Sequence, residues 1–258
     1  MKNIFTLKNK VAVVTGGYGY LGCAISFGLA EAGAKVYLTG DDRRKLKTVL
    51  NSDHKNNLEI GFLDLRSLNS IKKSLEKIWN KEGKINIVIN NAVYGKVGSL
   101  DLTNELEWSE GLDGTVGGVF RVTKSALPFL QKSKGSSIIN ISSMYGIVSP
   151  DPSIYDNTTK VSPPSYGVGK AGIIQFTKYA ACHFGKLGIR VNCISPGPFP
   201  DPKINNSPKF IENLKKKNPL GRIGKPPDIV GTVIFLASDA SSFITGQNIC
   251  IDGGRTAW

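Results

Sequence analysis

Residues 11–22, VAVVTGGYGYLG, join an apolar run to a helical pattern through a turn rich in glycine. The run VAVVT is typical of a buried strand, and apolar side chains recur at helical spacing from Leu21 onward. Gly16, Gly19 and Gly22 are spaced three apart, so the backbone can turn tightly and present its N–H groups to a phosphate at a helix start. A strand, a glycine turn and a helix in this order predict a βαβ unit that binds the pyrophosphate of a dinucleotide. A turn that only connects the two elements is the alternative.

Short β-branched runs recur along the chain, and longer helical patterns separate most of them. This alternation predicts βαβ units, and right-handed crossovers then place helices on both faces of the sheet. We expect an α/β fold, namely a single-domain, Rossmann-type, doubly wound parallel sheet of about seven strands over residues 1–258. The strand candidates are 11–15, 35–39, 59–63, 85–90, 137–142, 190–195 and 248–251. The clearest helix candidates are 21–32, 67–81, 166–184 and 228–237.

Composition excludes several classes of protein. The 258 residues are 40% hydrophobic and 21% charged, which is typical of a globular chain. The net charge of +13 comes largely from scattered lysines, so we expect no nucleic-acid partner. We expect no membrane span and no secretory signal, hence a cytoplasmic protein. The four cysteines form no CxxC pair, which favours buried reduced thiols and no metal site. They are Cys23, Cys182, Cys193 and Cys250.

An acidic residue follows the second strand candidate. In dinucleotide-binding folds such a residue accepts a hydrogen bond from the adenosine ribose of NAD. Asp41 is the natural candidate, because a carboxylate there would also repel the 2′-phosphate of NADP. Arg43 and Arg44 follow at once and could instead bind that phosphate, while Asp41 or Asp42 could simply cap a helix. We favour NAD over NADP.

A Tyr-x-x-x-Lys pattern opens one of the helix candidates. Tyr166 and Lys170 lie four residues apart and therefore on one face. The ammonium would stabilise a phenolate and lower the pKa of the tyrosine, which would make it a better base near neutral pH. Ser142 and Ser143 end a buried strand candidate, so a hydroxyl lies at the edge of the sheet where ligands bind.

Taken together, these motifs resemble the short-chain dehydrogenase/reductase family in its compact single-domain branch. The resemblance covers nearly the whole chain, because the motifs follow one another in the family's order. They are the turn at 15–22, Asp64-Leu65, Asn90-Asn91-Ala92, Ser143, Tyr166 with Lys170, Asn192 to Pro196-Gly197, and Asp252-Gly253-Gly254. The family transfers a hydride between a nicotinamide and a carbonyl or alcohol carbon, so the resemblance implies NAD or NADP as cofactor.

The resemblance also implies roles for individual residues. Tyr166 would be the general acid or base, Ser143 would hydrogen-bond the substrate oxygen, and Lys170 would hold the nicotinamide ribose. Thr115 occupies the position of a family asparagine in the proton relay. The cofactor residues implied are Gly16, Gly19, Tyr20, Leu21, Gly22, Asp41, Asp64, Leu65, Asn91, Ala92, Tyr166, Lys170, Pro196 and Gly197. The substrate residues implied are Ser143, Tyr145, Tyr166 and Phe199, and no metal is implied.

Two proline-rich stretches, about 144–165 and 197–218, are expected to form the substrate loops. The first resembles a subset of the family that acts on sugar acids and surface sugars, including gluconate 5-dehydrogenase-like members. The second carries Lys203, Lys209 and 215–217, and such a cationic lid would attract an anionic substrate. The same lysines could instead be the solvated end of a short helix. Tyr94, Tyr145 and Tyr155 could stack on a sugar ring.

These observations favour an oxidoreductase that acts on a polar, anionic, sugar-like small molecule. An NADPH-dependent 3-oxoacyl thioester reductase is a second interpretation. A cofactor-binding protein without turnover is a third interpretation. Two departures from the family pattern keep it open: Thr115, and a glycine motif in which Gly19 replaces the glycine that many compact members have at the position of Tyr20. Family members are mostly tetramers or dimers, so the resemblance implies a homotetramer or a homodimer.

Overall fold

The computed structural model describes residues 3–50, 57–155, 161–203 and 207–257, and it contains a single parallel sheet flanked by helices. The strands are β1 (Val11–Thr15), β2 (Lys35–Gly40), β3 (Leu58–Phe62), β4 (Ile87–Asn90), β5 (Ser136–Ile141), β6 (Ile189–Pro196) and β7 (Asn248–Ile251). The helices are α1 (Tyr20–Glu31), α2 (Arg43–Leu50), α3 (Leu68–Glu82), α4 (Glu105–Leu112), α5 (Gly118–Leu130), α6 (Pro164–Phe184), α7 (Pro208–Lys216) and α8 (Pro227–Ala237). The expectation of a Rossmann-type α/β fold is confirmed.

The strand order is β3-β2-β1-β4-β5-β6-β7, and every neighbouring pair is parallel. Chain order reverses between β1 and β4, so the connections leave these two strands in opposite directions. A crevice therefore opens at their carboxyl ends, which is where open α/β sheets bind ligands.

Alternate residues of the strands pack into two separate cores. On β1, Ala12 and Val14 face α1 and α8, whereas Val11 and Val13 face the layer of α3, α5 and α6. All four side chains are essentially inaccessible to solvent. Burial on both faces explains why the strands are near-continuous apolar runs.

The strand candidates agree with the observed strands to within two residues at each end. The largest difference is at β4, which begins at Ile87 and not at residue 85. Before it, the N–H of Ile85 donates to the Ser133 hydroxyl, and the Asn86 side chain accepts from the N–H of Val11. A side chain therefore takes the N–H of Ile85, whereas the backbone of Asn86 still bonds to Val11 and Ser137.

The expectation of buried thiols is wrong for two of the four cysteines. Cys193 is fully buried and Cys23 is partly buried, but Cys182 and Cys250 are exposed. Cys250 lies on β7, which is the last strand in the order of the described sheet. The described residues contain no group of three or more His, Cys, Asp and Glu side chains that could hold a metal ion. Among the helices of the described ranges, none is long and apolar enough to cross a membrane.

Helices α1 and α8 pack closely because α1 carries a glycine at the contact. A Cβ added at Gly28 would overlap Cγ1 of Val230 and lie 3.4 Å from its Cβ. Gly28 has ordinary helical backbone angles, so the contact and not the backbone requires glycine here.

Gly28→Ala should therefore destabilise the protein by about 1–3 kcal/mol, since overpacking a tight contact forces neighbouring side chains to move. The urea midpoint of unfolding measures this change. Adding Val230→Ala to Gly28→Ala should restore part of the loss, because it removes the overlapping methyl group. A double variant no more stable than Gly28→Ala would show that this contact is not the cause.

Candidate active site

A cavity of about 380 Å³, which we call the cofactor cavity, lies at the carboxyl ends of β1, β4 and β5. Every cofactor residue expected from the sequence lines it. They are Gly16, Gly19, Tyr20, Leu21, Gly22, Asp41, Asp64, Leu65, Asn91, Ala92, Tyr166, Lys170, Pro196 and Gly197. Ser143 and Phe199 line it as well. The fold thus brings together residues that lie as far apart in sequence as 16 and 199.

The glycine turn is fixed by hydrogen bonds from β4. The Asn91 amide donates to the carbonyl oxygens of Thr15 and Gly16 at 3.0 and 3.2 Å, and the Thr15 hydroxyl accepts from the N–H of Asn91 at 3.0 Å. Gly16 has φ of +64°, a left-handed conformation that favours glycine. A Cβ at Gly22 would overlap the Gly16 carbonyl oxygen and lie 2.7 Å from the Asn91 amide nitrogen.

No side chain caps the first turn of α1, and that turn contains no acidic residue. Its backbone N–H groups and the positive end of the helix dipole therefore remain available to an anion in the cavity. The glycine turn and the first turn of α1 together form a cradle. It has the chemistry and the close backbone approach that a dinucleotide pyrophosphate requires.

The two aspartates after β2 have different roles in the structure. Asp42 accepts from the N–H groups of Arg44 and Lys45 at 2.9 and 3.1 Å, so it caps α2. Asp41 does not cap the helix. Its carboxylate accepts from the Tyr18 hydroxyl at 2.5 Å and lies 3.9 Å from the Arg66 guanidinium. Of the two, only Asp41 lines the cofactor cavity.

Helix α6 positions the tyrosine and lysine at the other end of this cavity. The Lys170 ammonium lies 5.4 Å from the centroid of the Tyr166 ring and donates to the Ile141 carbonyl at 2.7 Å. The Ser142 hydroxyl donates to the Lys170 carbonyl at 2.7 Å, which ties α6 to the end of β5. Ser143 is 7% exposed, its hydroxyl accepts from the N–H of Tyr145 at 3.1 Å, and it lines the same cavity as Tyr166.

Burial sets the titration of both groups. It lowers the pKa of Lys170 to about 8, because the ammonium loses its hydration. Burial also raises the pKa of Tyr166, while the neighbouring Ser143 hydroxyl acts in the opposite direction. The sequence led us to expect that Lys170 lowers the pKa of Tyr166, but the protein's own residues raise it. The Lys170 ammonium faces the ring and donates a hydrogen bond to the Ile141 carbonyl. Its effect on the pKa of Tyr166 is therefore smaller than the effect of burial.

Thr115 lies in a π-helical turn, Asp113–Gly117, between α4 and α5. It is 2% exposed, and its hydroxyl lies 2.8 Å from the Gly111 carbonyl, to which it donates. A Cβ at Gly169 would overlap this hydroxyl, so Thr115 packs directly against α6 beside Lys170. Because its proton is already donated, Thr115 can only accept a hydrogen bond from a relay water.

A second cavity of about 580 Å³, which we call the substrate cavity, adjoins the cofactor cavity and shares Ser143, Tyr166 and Phe199 with it. Both Thr115 and Tyr145 line this second cavity and not the first. Aromatic and aliphatic side chains dominate the wall. They include Val93, Val97, Met144, Tyr145, Tyr155, Val161, Phe199, Phe210 and Leu214.

The two substrate loops meet across this second cavity, although 156–160 and 204–206 lie outside the described residues. Tyr155 packs against Phe210 of α7, with ring centroids 5.6 Å apart. The Asn213 amide donates to the Ile154 carbonyl at 3.4 Å, and Lys217 forms an ion pair with Asp151 at 2.9 Å.

The lysines of 197–218 do not form the expected cationic lid over this cavity. Lys217 is paired with Asp151, Lys215 lies 3.9 Å from Glu212, and neither lines the cavity. Lys203 and Lys209 do not line it either. The charged residues that do are Lys96, which pairs with Glu107 at 2.9 Å, and Asp201.

Comparison with known proteins agrees with this geometry. A family model described as enoyl-(acyl carrier protein) reductase matches residues 20–256. The 3-oxoacyl-(acyl-carrier-protein) reductase of Thermotoga maritima is 33% identical over 96% of this chain and 98% of its own. The chain belongs to the short-chain dehydrogenase/reductase family.

Solved structures of this family superpose closely on the chain. A short-chain dehydrogenase from Leptospira borgpetersenii, solved with NAD⁺, gives a TM-score of 0.88 at 33% identity, covering 99% of this chain and 96% of its own. A gluconate 5-dehydrogenase from Burkholderia cenocepacia, solved with NADP and tartrate, gives 0.89 at 26% identity, covering 99% and 98%.

Several residues that line the two cavities were not singled out from the sequence, and three of them are Tyr18, Arg66 and Phe210. Tyr18 and Arg66 line the cofactor cavity, and Phe210 lines the substrate cavity. Tyr18 lies inside the glycine turn and Arg66 lies two residues after Asp64, so proximity to a motif could have indicated both. Phe210 lies within the expected substrate loop 197–218, on α7, but no local motif singles it out.

Tyr166→Phe should lower kcat/KM by about a hundredfold to ten-thousandfold, since it removes the oxygen that would exchange a proton with the substrate. Steady-state kinetics by nicotinamide absorbance measure this loss. Tyr179→Phe is the matched control, because Tyr179 lies on the same helix but is 64% exposed and away from both cavities. Turnover by Tyr166→Phe close to that of the wild type would refute this assignment.

Ketone reduction should slow by about tenfold from pH 7 to pH 9, because Lys170, with a pKa of about 8, loses its positive charge over this range. The charged form is present below the pKa, so the activity is lost as the pH rises. Lys170→Arg keeps its charge throughout and should show no such decrease, whatever its absolute rate. A wild-type profile that stays flat to pH 9 would contradict this role for Lys170.

Proposed function

We propose that the protein is an NAD(P)-dependent oxidoreductase that interconverts a ketone and a secondary alcohol on a polar, sugar-like small molecule. The observation that carries the proposal is the meeting of Ser143, Tyr166 and Lys170 where the cofactor cavity joins the substrate cavity. The nicotinamide, when bound, supplies or accepts the hydride.

The chain's own residues then handle the substrate oxygen and its proton. Ser143 donates a hydrogen bond to the oxygen and orients it toward Tyr166. Tyr166 keeps its proton at neutral pH because burial raises its pKa, so it can donate that proton to the oxygen during reduction. Lys170 holds a positive charge beside the Tyr166 ring, which favours the phenolate that remains. In the oxidative direction Tyr166 takes the proton back.

Within this proposal NAD is the preferred cofactor. Asp41 is the acid at the end of β2 that lines the cofactor cavity, and its carboxylate is held by Tyr18. A carboxylate at this place accepts from the ribose 2′-hydroxyl and repels a 2′-phosphate. The third interpretation, a binding protein without turnover, is disfavoured because the candidate catalytic residues are assembled.

Tyrosine side chains support the sugar-like substrate. The Tyr145 and Tyr155 hydroxyls lie 3.1 Å apart, and both residues line the substrate cavity. The Tyr155 hydroxyl also donates to the Ser162 hydroxyl at 3.5 Å. The hydroxyl oxygens of the pair can still accept from a substrate hydroxyl, while the rings offer flat surfaces to the C–H face of a sugar. Lys215 and Lys217 are each paired with a carboxylate, which leaves little support for an anionic substrate.

A second candidate, a 3-oxoacyl thioester reductase, is supported by the apolar part of the same wall. Val93, Val97, Val161 and Leu214 could cover an acyl chain, and the Thermotoga relative is named for this reaction. Apolar burial would then provide most of the affinity.

The proposal includes the organisation of the protein. We infer that residues 1–258 act as one cytoplasmic domain, with 144–165 and 197–218 as its substrate loops. Apolar side chains such as Phe120 on α5 and Tyr179 on α6 are 48% and 64% exposed. Such side chains would be covered in a homodimer or a homotetramer.

A substrate panel should separate the two candidates. We expect turnover with keto sugars or keto sugar acids and NADH, and kcat/KM for acetoacetyl thioesters at least about tenfold lower. Nicotinamide absorbance measures both, with Tyr166→Phe as the inactive control. The reverse ranking, with NADPH preferred, would establish the thioester reductase in place of the sugar dehydrogenase.

A further inference from the structure

We propose that Tyr18 is a positioning residue for cofactor choice: its ring closes position 40 to any side chain, and its hydroxyl holds the Asp41 carboxylate beside the adenosine ribose. The inference rests on the proposed preference for NAD and explains how this chain would achieve it. Tyr18 thereby acts on the cofactor through Asp41.

The ring of Tyr18 accounts for the glycine that ends β2. A Cβ at Gly40 would overlap Cε1 of Tyr18 and lie 2.9 Å from its Cδ1. Gly40 continues the β-ladder with Phe62 and does not have a positive φ, so its backbone conformation is open to any residue. The aromatic ring is therefore the reason for glycine at this position, and an acidic side chain can first appear at residue 41.

The surrounding structure holds the Tyr18 ring in place. Gly17 packs against Leu38, and its N–H donates to the Thr39 carbonyl at 3.0 Å, which presses the turn onto β2. The Lys45 ammonium lies 5.5 Å from the centroid of the Tyr18 ring. The ring thus lies between the strand and a cation, which restricts the directions that its hydroxyl can take.

The hydroxyl of Tyr18 is a permanent donor to Asp41. Burial and the neighbouring carboxylate both raise the pKa of Tyr18, so the hydroxyl keeps its proton over the whole working range of pH. A hydrogen bond from a neutral hydroxyl to a carboxylate fixes that carboxylate without neutralising it. The negative charge of Asp41 therefore stays at one place, available to the ribose.

The place of that charge matters because cations lie just beyond it. A further cavity of about 590 Å³ is lined by Tyr18, Asp41, Asp42, Arg43, Arg44, Lys45 and Phe62. Asp41 lines both this cavity and the cofactor cavity, so it lies on their border. A 2′-phosphate that extended toward Arg43 or Arg44 would pass the Asp41 carboxylate. When Tyr18 holds the carboxylate, the phosphate is repelled; when the carboxylate can rotate away, the cations can accept the phosphate.

The test is the affinity of the whole protein for NADH and for NADPH, measured by fluorescence titration without substrate. We expect the wild type to bind NADH more tightly. Tyr18→Phe keeps the ring and should lower the ratio of Kd for NADPH to Kd for NADH by about threefold to tenfold. Asp41→Ala should lower it at least as far, and the double variant should match Asp41→Ala, because Tyr18 acts through Asp41.

Two further variants exclude a general effect on folding. Tyr37→Phe is the matched control, because the Tyr37 hydroxyl also donates to a carboxylate, that of Glu82 at 2.6 Å, but Tyr37 does not line the cofactor cavity. It should leave the ratio unchanged. Gly40→Ala should displace the Tyr18 ring and lower the ratio in the same direction as Tyr18→Phe.

The outcomes separate the inference from the function on which it rests. If Asp41→Ala lowers the ratio but Tyr18→Phe and Gly40→Ala keep the wild-type value, the role of Tyr18 is refuted and the preference for NAD stands. If the wild type binds NADPH as tightly as NADH, the preference for NAD is refuted and the role of Tyr18 with it. A ratio that falls with Tyr18→Phe and falls no further in the double variant than with Asp41→Ala supports the inference.

Discussion

Helix α1 begins so close to the end of β1 that a methyl group at position 22 would overlap the carbonyl oxygen of Gly16. This close approach brings the first N–H groups of α1 to the edge of the sheet. Asn91, from the end of β4, bonds to the carbonyls of Thr15 and Gly16 and so connects the turn to the neighbouring strand. The cradle therefore requires the β1–β4 pairing as well as the glycines, and both determine the shape of the cofactor cavity.

The opposite end of the cavity depends on the burial of a charged group. Lys170 is 3% exposed and is held by the Ile141 carbonyl, while Ser142 fixes the backbone of the same residue. Burial that lowers the pKa of Lys170 also raises the pKa of Tyr166. A tyrosine that remains protonated suits the donation of a proton to a ketone. Its use as a base requires further stabilisation of the phenolate, to which a positively charged nicotinamide would contribute.

The substrate side is built from contacts between segments that are distant in sequence. Asp151 and Lys217, together with Tyr155 and Phe210, join the two substrate loops across the cavity. The ion pair occupies the Lys217 ammonium, which the sequence alone presents as free to bind an anionic ligand. A lysine-rich segment predicts attraction of anions only if its ammonium groups are unpaired and face the ligand. Here Lys215 pairs with Glu212 on the same helix, and the tertiary structure pairs Lys217 with Asp151 of the other loop.

The sequence by itself determined the parallel α/β fold, the cofactor cradle and the identity of the candidate catalytic residues. These features are encoded locally: alternating apolar runs, glycines at fixed spacing, and a tyrosine and a lysine one helical turn apart. Only the tertiary structure decided which aspartate lines the cavity, because Asp42 caps the start of α2 whereas Asp41 is held by Tyr18. It alone also placed Phe210 in the substrate wall and raised the pKa of Tyr166. Burial, and a pair such as Asp41 with Tyr18, depend on neighbours that the chain brings together from distant positions, and no local pattern records them.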